Sequence, residues 1–282
     1  MSAADRDHRP ADWAPRIEDA ALLCGAGRFM DDVRTARAAA ACFVRSPHAF
    51  ARIEGVDTSE ARASPGVLAV LTAEDMTQAG AGSLSHPVPQ TGLVVPPWPA
   101  LADGRVMHVG QPVVLVVAET EALAQDAAEL VAIDYQPLAA VVGLARAVAP
   151  DAPRLWPEAP GNLALDWTGP LPQTEEDRRE VARLFAAAAH VAKVSVVNQP
   201  IAVASLETRG ATASYDPASD RYLLRAPSQG VKMLRDQLAA SMSLRPDQLR
   251  LLTGDVGGAF GMKTAAYAEY VALLVAAKKI GR

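Results

Sequence analysis

The sequence predicts an α+β protein built in two parts, and three observations carry that prediction. Apolar runs of strand length recur in both halves, at residues 39–44, 66–72 and 113–118 and again at 211–215 and 249–252. Helical spacing of apolar residues is confined to three places, 120–130, 231–242 and 264–280. Six prolines crowd residues 149–172 and break the chain between the two sets. The length of 282 residues, at about 150 per domain, also favours two domains. The expected division is a first domain over 1–148, a proline-rich linker over 149–190 and a second unit over 191–282.

Composition narrows the function classes. Half the residues are apolar, 21% are charged and 5% are aromatic, which excludes disordered and fibrous proteins. The net charge is −5 with no block of five basic residues, so the footprint of a nucleic-acid binder is missing and the partners are proteins or small molecules. The longest apolar stretches fall far short of the roughly 20 residues of a membrane span. The charged amino terminus has no apolar core of a secretory signal, so the expected compartment is the cytoplasm. Cys24 and Cys42, 18 apart and without CxxC, cannot build an iron–sulfur cluster or zinc knuckle alone and are expected as buried thiols. The histidines 8, 48, 86, 108 and 190 lack ligand spacing, so no direct protein ligand to a metal is expected.

In order along the chain, residues 39–44 (AAACFV) read as a buried strand stopped by the polar corner Arg45-Ser46-Pro47-His48. A second strand at 66–72 ends at Glu74-Asp75, which suit the first turn of a short helix. Three glycines and five prolines (Pro87, Pro89, Pro96, Pro97, Pro99) between Gln78 and Asp103 predict a long surface loop. The run at 113–118 is a central strand. Thr120 caps a helix with Ala122, Leu123, Ala127 and Leu130 on one face, and residues 131–135 alternate as a strand, giving a strand–helix–strand unit.

Beyond the linker, strands are expected at 194–197 and 211–215, then a turn at Asp216-Pro217-Ala218-Ser219 into a strand at 221–226. Val231, Leu234, Leu238 and Met242 mark a helix face, Pro246-Asp247 breaks it, and 249–252 is another strand. The last helix, 264–280, has Thr264 as its expected cap and Tyr267, Val271, Leu274 and Ile280 inward. Lys278 and Lys279 complement its carboxyl end, and Gly281 stops it.

Between that strand and helix lies Gly254-Asp255-Val256-Gly257-Gly258-Ala259-Phe260-Gly261-Met262-Lys263. Glycines before a helix let the backbone approach a ligand and present free N–H groups to an anion. The phosphate-loop pattern GxxxxGK[ST], begun at Gly257, needs glycine where Met262 stands. The dinucleotide pattern GxGxxG fails because two residues separate Gly254 from Gly257. Spacing alone leaves a cofactor loop and a plain tight turn both open.

An ordered set of segments resolves more. Arg16-Ile17-Glu18-Asp19 with LLCGAGRFMDD (22–32), FVRSPHAFA (43–51), Pro65-Gly66-Val67, HVGQPVVLV (108–116) and residues 126–129 with Asp134-Tyr135-Gln136-Pro137-Leu138 come first. Glu207-Thr208-Arg209-Gly210, Ser228-Gln229 and GGAFGMK (257–263) follow. Together they resemble the amino-terminal part of the large, molybdenum-binding subunit of the xanthine dehydrogenase, aldehyde oxidase and carbon monoxide dehydrogenase family.

The resemblance implies an α/β hammerhead domain followed by the incomplete start of a molybdopterin-binding domain. It implies that Gln229 stands beside an oxo ligand of molybdenum and that Gly258, Ala259, Phe260 and Gly261 form the loop against metal and pterin. The implied cofactor is molybdenum–molybdopterin, in a cytosine dinucleotide form. FAD and 2Fe–2S clusters lie on partner subunits, and a second molybdopterin-binding polypeptide completes the site. The implied chemistry is oxidation of an aldehyde, an N-heterocycle or carbon monoxide with oxygen from water. The base glutamate of the family is expected outside this chain. Glu207, expected to pair with Arg209 or a neighbour, and Glu269, on the helix, are set aside for that role. Purine-oxidising members resemble one another in a glutamate just after the loop lysine; Thr264 stands there, which disfavours xanthine. The competing readings are a non-catalytic fragment or accessory subunit that binds partners without cofactor, and a stand-alone phosphate binder at the helix amino terminus.

Overall fold

The computed structural model describes residues 16–86, 90–167, 174–199 and 201–282. His8, Pro87 and Pro89, named above, and Pro170 and Pro172 of the proline-rich stretch lie outside the described residues. From the amino terminus the elements are α1 (Asp19–Leu23), β1 (Ala40–Arg45), β2 (Ala51–Asp57), α2 (Ser59–Ala63), β3 (Val67–Leu71) and α3 (Ala73–Gln78). Next come β4 (Arg105–Val106), β5 (Pro112–Ala118), α4 (Glu121–Glu129), β6 (Ala132–Pro137) and α5 (Leu144–Ala147). The last part holds α6 (Glu175–Ala187), β7 (Thr212–Asp216), β8 (Arg221–Arg225), α7 (Val231–Ser241), β9 (Leu249–Leu252) and α8 (Ala268–Ile280).

β5 lies between β1 and β3, antiparallel to both, and every residue of its PVVLVVA run is buried. Its alternate side chains serve two cores, as the two-residue repeat of a strand requires. Val114 and Val116 join Ala51, Val106 and Ala127 in one cluster. Leu115 and Val117 join Leu71, Leu224, Val271 and Leu274 in another, because α8 packs across β3 and β5. Each such Val or Leu contributes about 1.5–3 kcal/mol on burial. The second cluster therefore ties residues before position 148 to those after it in one continuous core. Ion pairs reinforce the join: Arg45 to Glu269 at 2.9 Å, Arg282 to Glu119 at 3.0 Å, and Lys279 to Asp75.

The expected strand–helix–strand unit is corrected in one respect. Thr120 caps α4 by accepting from the Leu123 N–H, and α4 covers β1 and β5. β6, however, leaves that sheet and pairs antiparallel with β2 in a second one, ordered β4-β2-β6. Both hydrogen-bonding edges of β5 are already taken by β1 and β3, so β6 has no place beside it. The third sheet, β7-β8-β9, joins an antiparallel hairpin to a parallel strand through α7. In the hairpin turn the Asp216 carboxylate accepts from the Ala218 N–H at 3.0 Å and the Ser219 hydroxyl at 2.6 Å, the role expected of Asp-Pro there.

Four further expectations are corrected. Residues 194–197 form no strand and pair with no other described residue, with Val194 82% and Val196 79% exposed. The loop after α3 lacks regular structure over most of its length, yet it is not confined to the surface: Leu84, Ala100, Leu101 and Ala102 are buried. Cys24 is exposed and Cys42 half-buried, because Cys24 ends a five-residue helix with no buried position. α8 starts at Ala268 with Tyr267 at its cap, since the Thr264 hydroxyl is already engaged elsewhere. No helix among the described residues is long and apolar enough to cross a membrane.

Candidate cofactor-binding site

The glycine-rich segment runs from β9 to α8 and is pinned at both ends. At its start the Arg28 N–H donates to Asp255 Oδ2 at 2.6 Å, and the Asp255 N–H donates to the Arg28 carbonyl at 3.1 Å. Gly254 is obligatory for that approach, because a Cβ there would stand 2.6 Å from the Arg28 carbonyl oxygen. The sequence segment around Arg28, far away in the chain, thus forms one wall of the turn.

The second anchor is Lys263. Its side chain is fully buried, and Nζ donates to Glu207 Oε2 at 2.7 Å and to the Glu207 carbonyl at 2.8 Å. Glu207 also accepts from the Met30 N–H at 3.0 Å and the Gly257 N–H at 2.9 Å, and its own N–H donates to the Gly257 carbonyl. Burial alone raises a carboxyl, but the Lys263 contact and the two backbone donors outweigh it and hold Glu207 below its ordinary value. Of the partners expected for Glu207, Arg209 or a neighbour, the structure shows a neighbour, Lys263. Arg209 instead lies 3.7 Å over the Tyr267 ring. Glu269, on α8, pairs with Arg45.

Between the anchors the chain makes a tight turn, closed by the Met262 N–H donating to the Ala259 carbonyl at 2.8 Å. Its central residues both have positive φ, 49° at Phe260 and 88° at Gly261, the pattern of a type I′ turn. Glycine tolerates that backbone; phenylalanine does so at a cost of about 1–2 kcal/mol. Phe260 is nevertheless 77% exposed. Strain held in an exposed side chain beside an anchored loop is the arrangement found at ligand sites.

The structure brings Gln229 to this loop. The Gln229 N–H donates to the Lys263 carbonyl at 3.0 Å, and the Thr264 hydroxyl donates to Gln229 Oε1 at 2.9 Å. That bond leaves Nε2 without a partner among the described residues. Ser228 positions the bend by accepting from the Gly230 N–H and donating its own N–H to the Thr253 hydroxyl.

A bulky, anionic group fits the residues present. Among the described residues none accepts from the N–H groups of Gly258, Ala259, Phe260 or Gly261, and successive free amides of this kind receive oxyanions. Ser205 Oγ is buried without a partner among the described residues, and Ser205 Cβ would stand 3.0 Å from a Cβ on Gly258. A Cβ on Gly261 would meet no protein atom within 4 Å, so that side of the turn is open to close approach. No cluster of three or more metal-ligating side chains occurs among the described residues.

Lys263 and Thr264, which the sequence marks as the loop lysine and the residue after it, prove to be the ones that hold Gln229. Ser205 carries no sequence signal, because its place beside Gly258 is set by tertiary contact.

The site thus combines an anchored glycine loop between strand and helix with a glutamine hydrogen-bonded at its end. Two family profiles match the chain: the a/b hammerhead domain of aldehyde oxidase and xanthine dehydrogenase over residues 24–139, and the molybdopterin cofactor-binding domain over 157–282. The chain is 34% identical over 268 residues to the nicotine 6-hydroxylase large subunit of Paenarthrobacter nicotinovorans, covering 94% of this chain and 32% of that protein. It is 33% identical over 272 residues to the carbon monoxide dehydrogenase large chain of Afipia carboxidovorans, covering 94% and 33%. Among solved structures, quinoline 2-oxidoreductase from Pseudomonas putida 86 superposes with a TM-score of 0.83 at 29% identity, over 95% of this chain and 33% of the other. The chain belongs to the aldehyde oxidase and xanthine dehydrogenase family, as the amino-terminal part of its molybdopterin-binding large subunit. It spans about a third of the length of the curated relatives it matches.

Proposed function

We propose that the chain is the molybdopterin-binding component of a molybdenum hydroxylase that oxidises an aldehyde, an N-heterocycle or carbon monoxide with water as oxygen source. One observation carries this reading: four successive N–H groups at 258–261, unpaired among the described residues, lie on a turn anchored by Lys263, and Gln229, its Nε2 likewise without a described partner, is hydrogen-bonded to the same segment. When bound, the molybdenum centre supplies the two-electron oxidation. This chain's residues bind and orient. Gln229 Nε2 donates to an oxygen of the group, the 258–261 amides receive its anionic oxygens, and Gly261 permits contact at van der Waals distance.

The remaining parts of the reading follow the family. The cofactor is the cytosine dinucleotide form, a second polypeptide region completes the pterin site and supplies the base glutamate, and 2Fe–2S and flavin subunits carry electrons away. The relatives named above act on nicotine, carbon monoxide and quinoline by their names, which keeps the substrate within small carbon-centred reductants. Thr264 offers a hydroxyl already engaged by Gln229, not a carboxylate for a purine.

In the loaded assembly Gln229→Ala lowers kcat by about a hundredfold, the scale of losing one preorganised donor, with molybdenum content nearly unchanged. Thr264→Val, which frees Oε1 and lets the amide rotate, lowers kcat by about twofold to tenfold, and Thr264→Ser restores it. Steady-state turnover normalised to molybdenum reads both. An unchanged rate in Gln229→Ala removes that residue from contact with the group.

A further inference from the structure

Ser205 and Glu207, two residues apart, both reach the glycine loop, but only one of them is satisfied there. The Glu207 N–H donates to the Gly257 carbonyl at 3.1 Å, which lays this stretch of chain against the turn. A Cβ on Gly257 would stand 2.5 Å from Glu207 Cβ, and one on Gly258 would stand 3.0 Å from Ser205 Cβ. The Glu207 carboxylate accepts from Met30, Gly257 and Lys263. Ser205 is only 9% exposed, and its Oγ has no partner among the described residues. A hydroxyl buried in that way destabilises the fold, because it has left water and gained no hydrogen bond in exchange.

The cover over this hydroxyl includes a movable part. The point where a Cβ on Gly258 would stand is also 3.1 Å from Phe260 Cε2, so the ring edge and Ser205 flank the same side of Gly258. The rest of the ring is in solvent: Phe260 is 77% exposed, at a positive φ that phenylalanine seldom adopts. Exposed side chains change rotamer rapidly, and little protein contact opposes the motion of this one. With the ring turned aside, the Ser205 hydroxyl borders the turn that carries the 258–261 N–H groups, unpaired among the described residues. Amides and a hydroxyl side by side offer donors to acceptor oxygens.

Resting on the reading of this chain as a molybdenum hydroxylase component, we propose that Ser205 is a further cofactor contact. The Phe260 ring covers it until the cofactor turns the ring aside, and the hydroxyl then donates to an oxygen of the cofactor beside Gly258. Ser205 therefore acts in opposite directions in the two states: it lowers the stability of the metal-free chain and strengthens retention of the cofactor.

Ser205→Ala tests this through two readouts of opposite sign. In the metal-free chain the substitution removes the unsatisfied hydroxyl and raises Tm by about 2–4 °C. In a Phe260→Ala background, where water reaches the hydroxyl, the same substitution shifts Tm by less than about 1 °C. In the assembly purified from the native host, Ser205→Ala speeds molybdenum loss on dialysis about tenfold, the scale of one hydrogen bond to a charged group. A Tm unchanged or lowered by Ser205→Ala overturns the proposal, since the hydroxyl then has a partner within the protein. So does an equal Tm shift with and without the Phe260 ring, or molybdenum loss at the wild-type rate. Elemental analysis of the wild-type assembly separates the two readings. A wild-type assembly without molybdenum removes the functional reading and this contact together, whereas loaded wild-type and Ser205→Ala assemblies that lose metal equally remove Ser205 alone.

Discussion

Glu207→Ala destabilises the isolated chain by about 3–5 kcal/mol, because it leaves the fully buried Lys263 ammonium without its counter-charge. The same carboxylate also receives the Met30 and Gly257 N–H groups, so one truncation frees three donors, one near residue 30 and two in the 257–263 segment. Denaturant unfolding followed by circular dichroism measures the loss. Glu207→Ala combined with Lys263→Met recovers most of it, since the buried charge is then gone. A loss under 1 kcal/mol in the single variant contradicts the anchor. The pH dependence follows from the direction of the shift. Glu207 is held below its ordinary value of 4.5, so its contribution is complete above that value and is lost as pH falls through the depressed one. In Glu207→Ala that part of the acid destabilisation disappears.

Gly261→Val abolishes molybdenum retention in the assembled enzyme and leaves the first part of the chain folded. At φ 88° a β-branched residue is a severe outlier, and the turn already holds Phe260 at positive φ. A Cβ at 261 meets no protein atom within 4 Å, so the isolated chain suffers only the local backbone cost of about 1–2 kcal/mol. The larger effect falls on whatever lies against the turn. Gly261→Ala, smaller and unbranched, retains part of the metal. Elemental analysis of the purified assembly reads the series, and a full molybdenum complement in Gly261→Val rejects the placement of the loop at the cofactor.

Where local signals are strong, the chain announces its fold. β9 begins and ends at the expected residues, and Thr120 caps α4 as its type and position suggest. β5 is recognisable because a strand buried on both faces has no polar residue to confuse it. β2 is not recognisable: its ARIEGVD mixes charges and a glycine into the pattern, and it is held by pairing with β4 and β6, far along the chain. α6 hides behind prolines and acidic residues within the stretch read as linker. Residues 194–197 show the opposite case, a clear strand pattern that cannot become a strand without a second one to pair with.

The site divides in the same way. Gln229 and residues 258–261 can be named from short segments of sequence, and the structure hydrogen-bonds Gln229 to Lys263 and Thr264, at the end of that segment. Their support cannot be named so. Glu207 and Lys263 stand 56 residues apart, and nothing in either segment says that the charge is buried. The glycines at 254 and 257 signal close approach, but only the fold shows that they admit the Arg28 carbonyl and the Glu207 side chain.

Whether this loop and Gln229 hold a molybdenum cofactor within a larger assembly is tested most directly by gentle purification from the native host, with elemental analysis for molybdenum and mass spectrometry of co-purifying polypeptides on one sample. The predicted result is molybdenum present together with the remainder of the large subunit and with iron–sulfur and flavin subunits. A protein recovered alone and free of molybdenum contradicts the claim and leaves a partner-binding fragment without cofactor in its place.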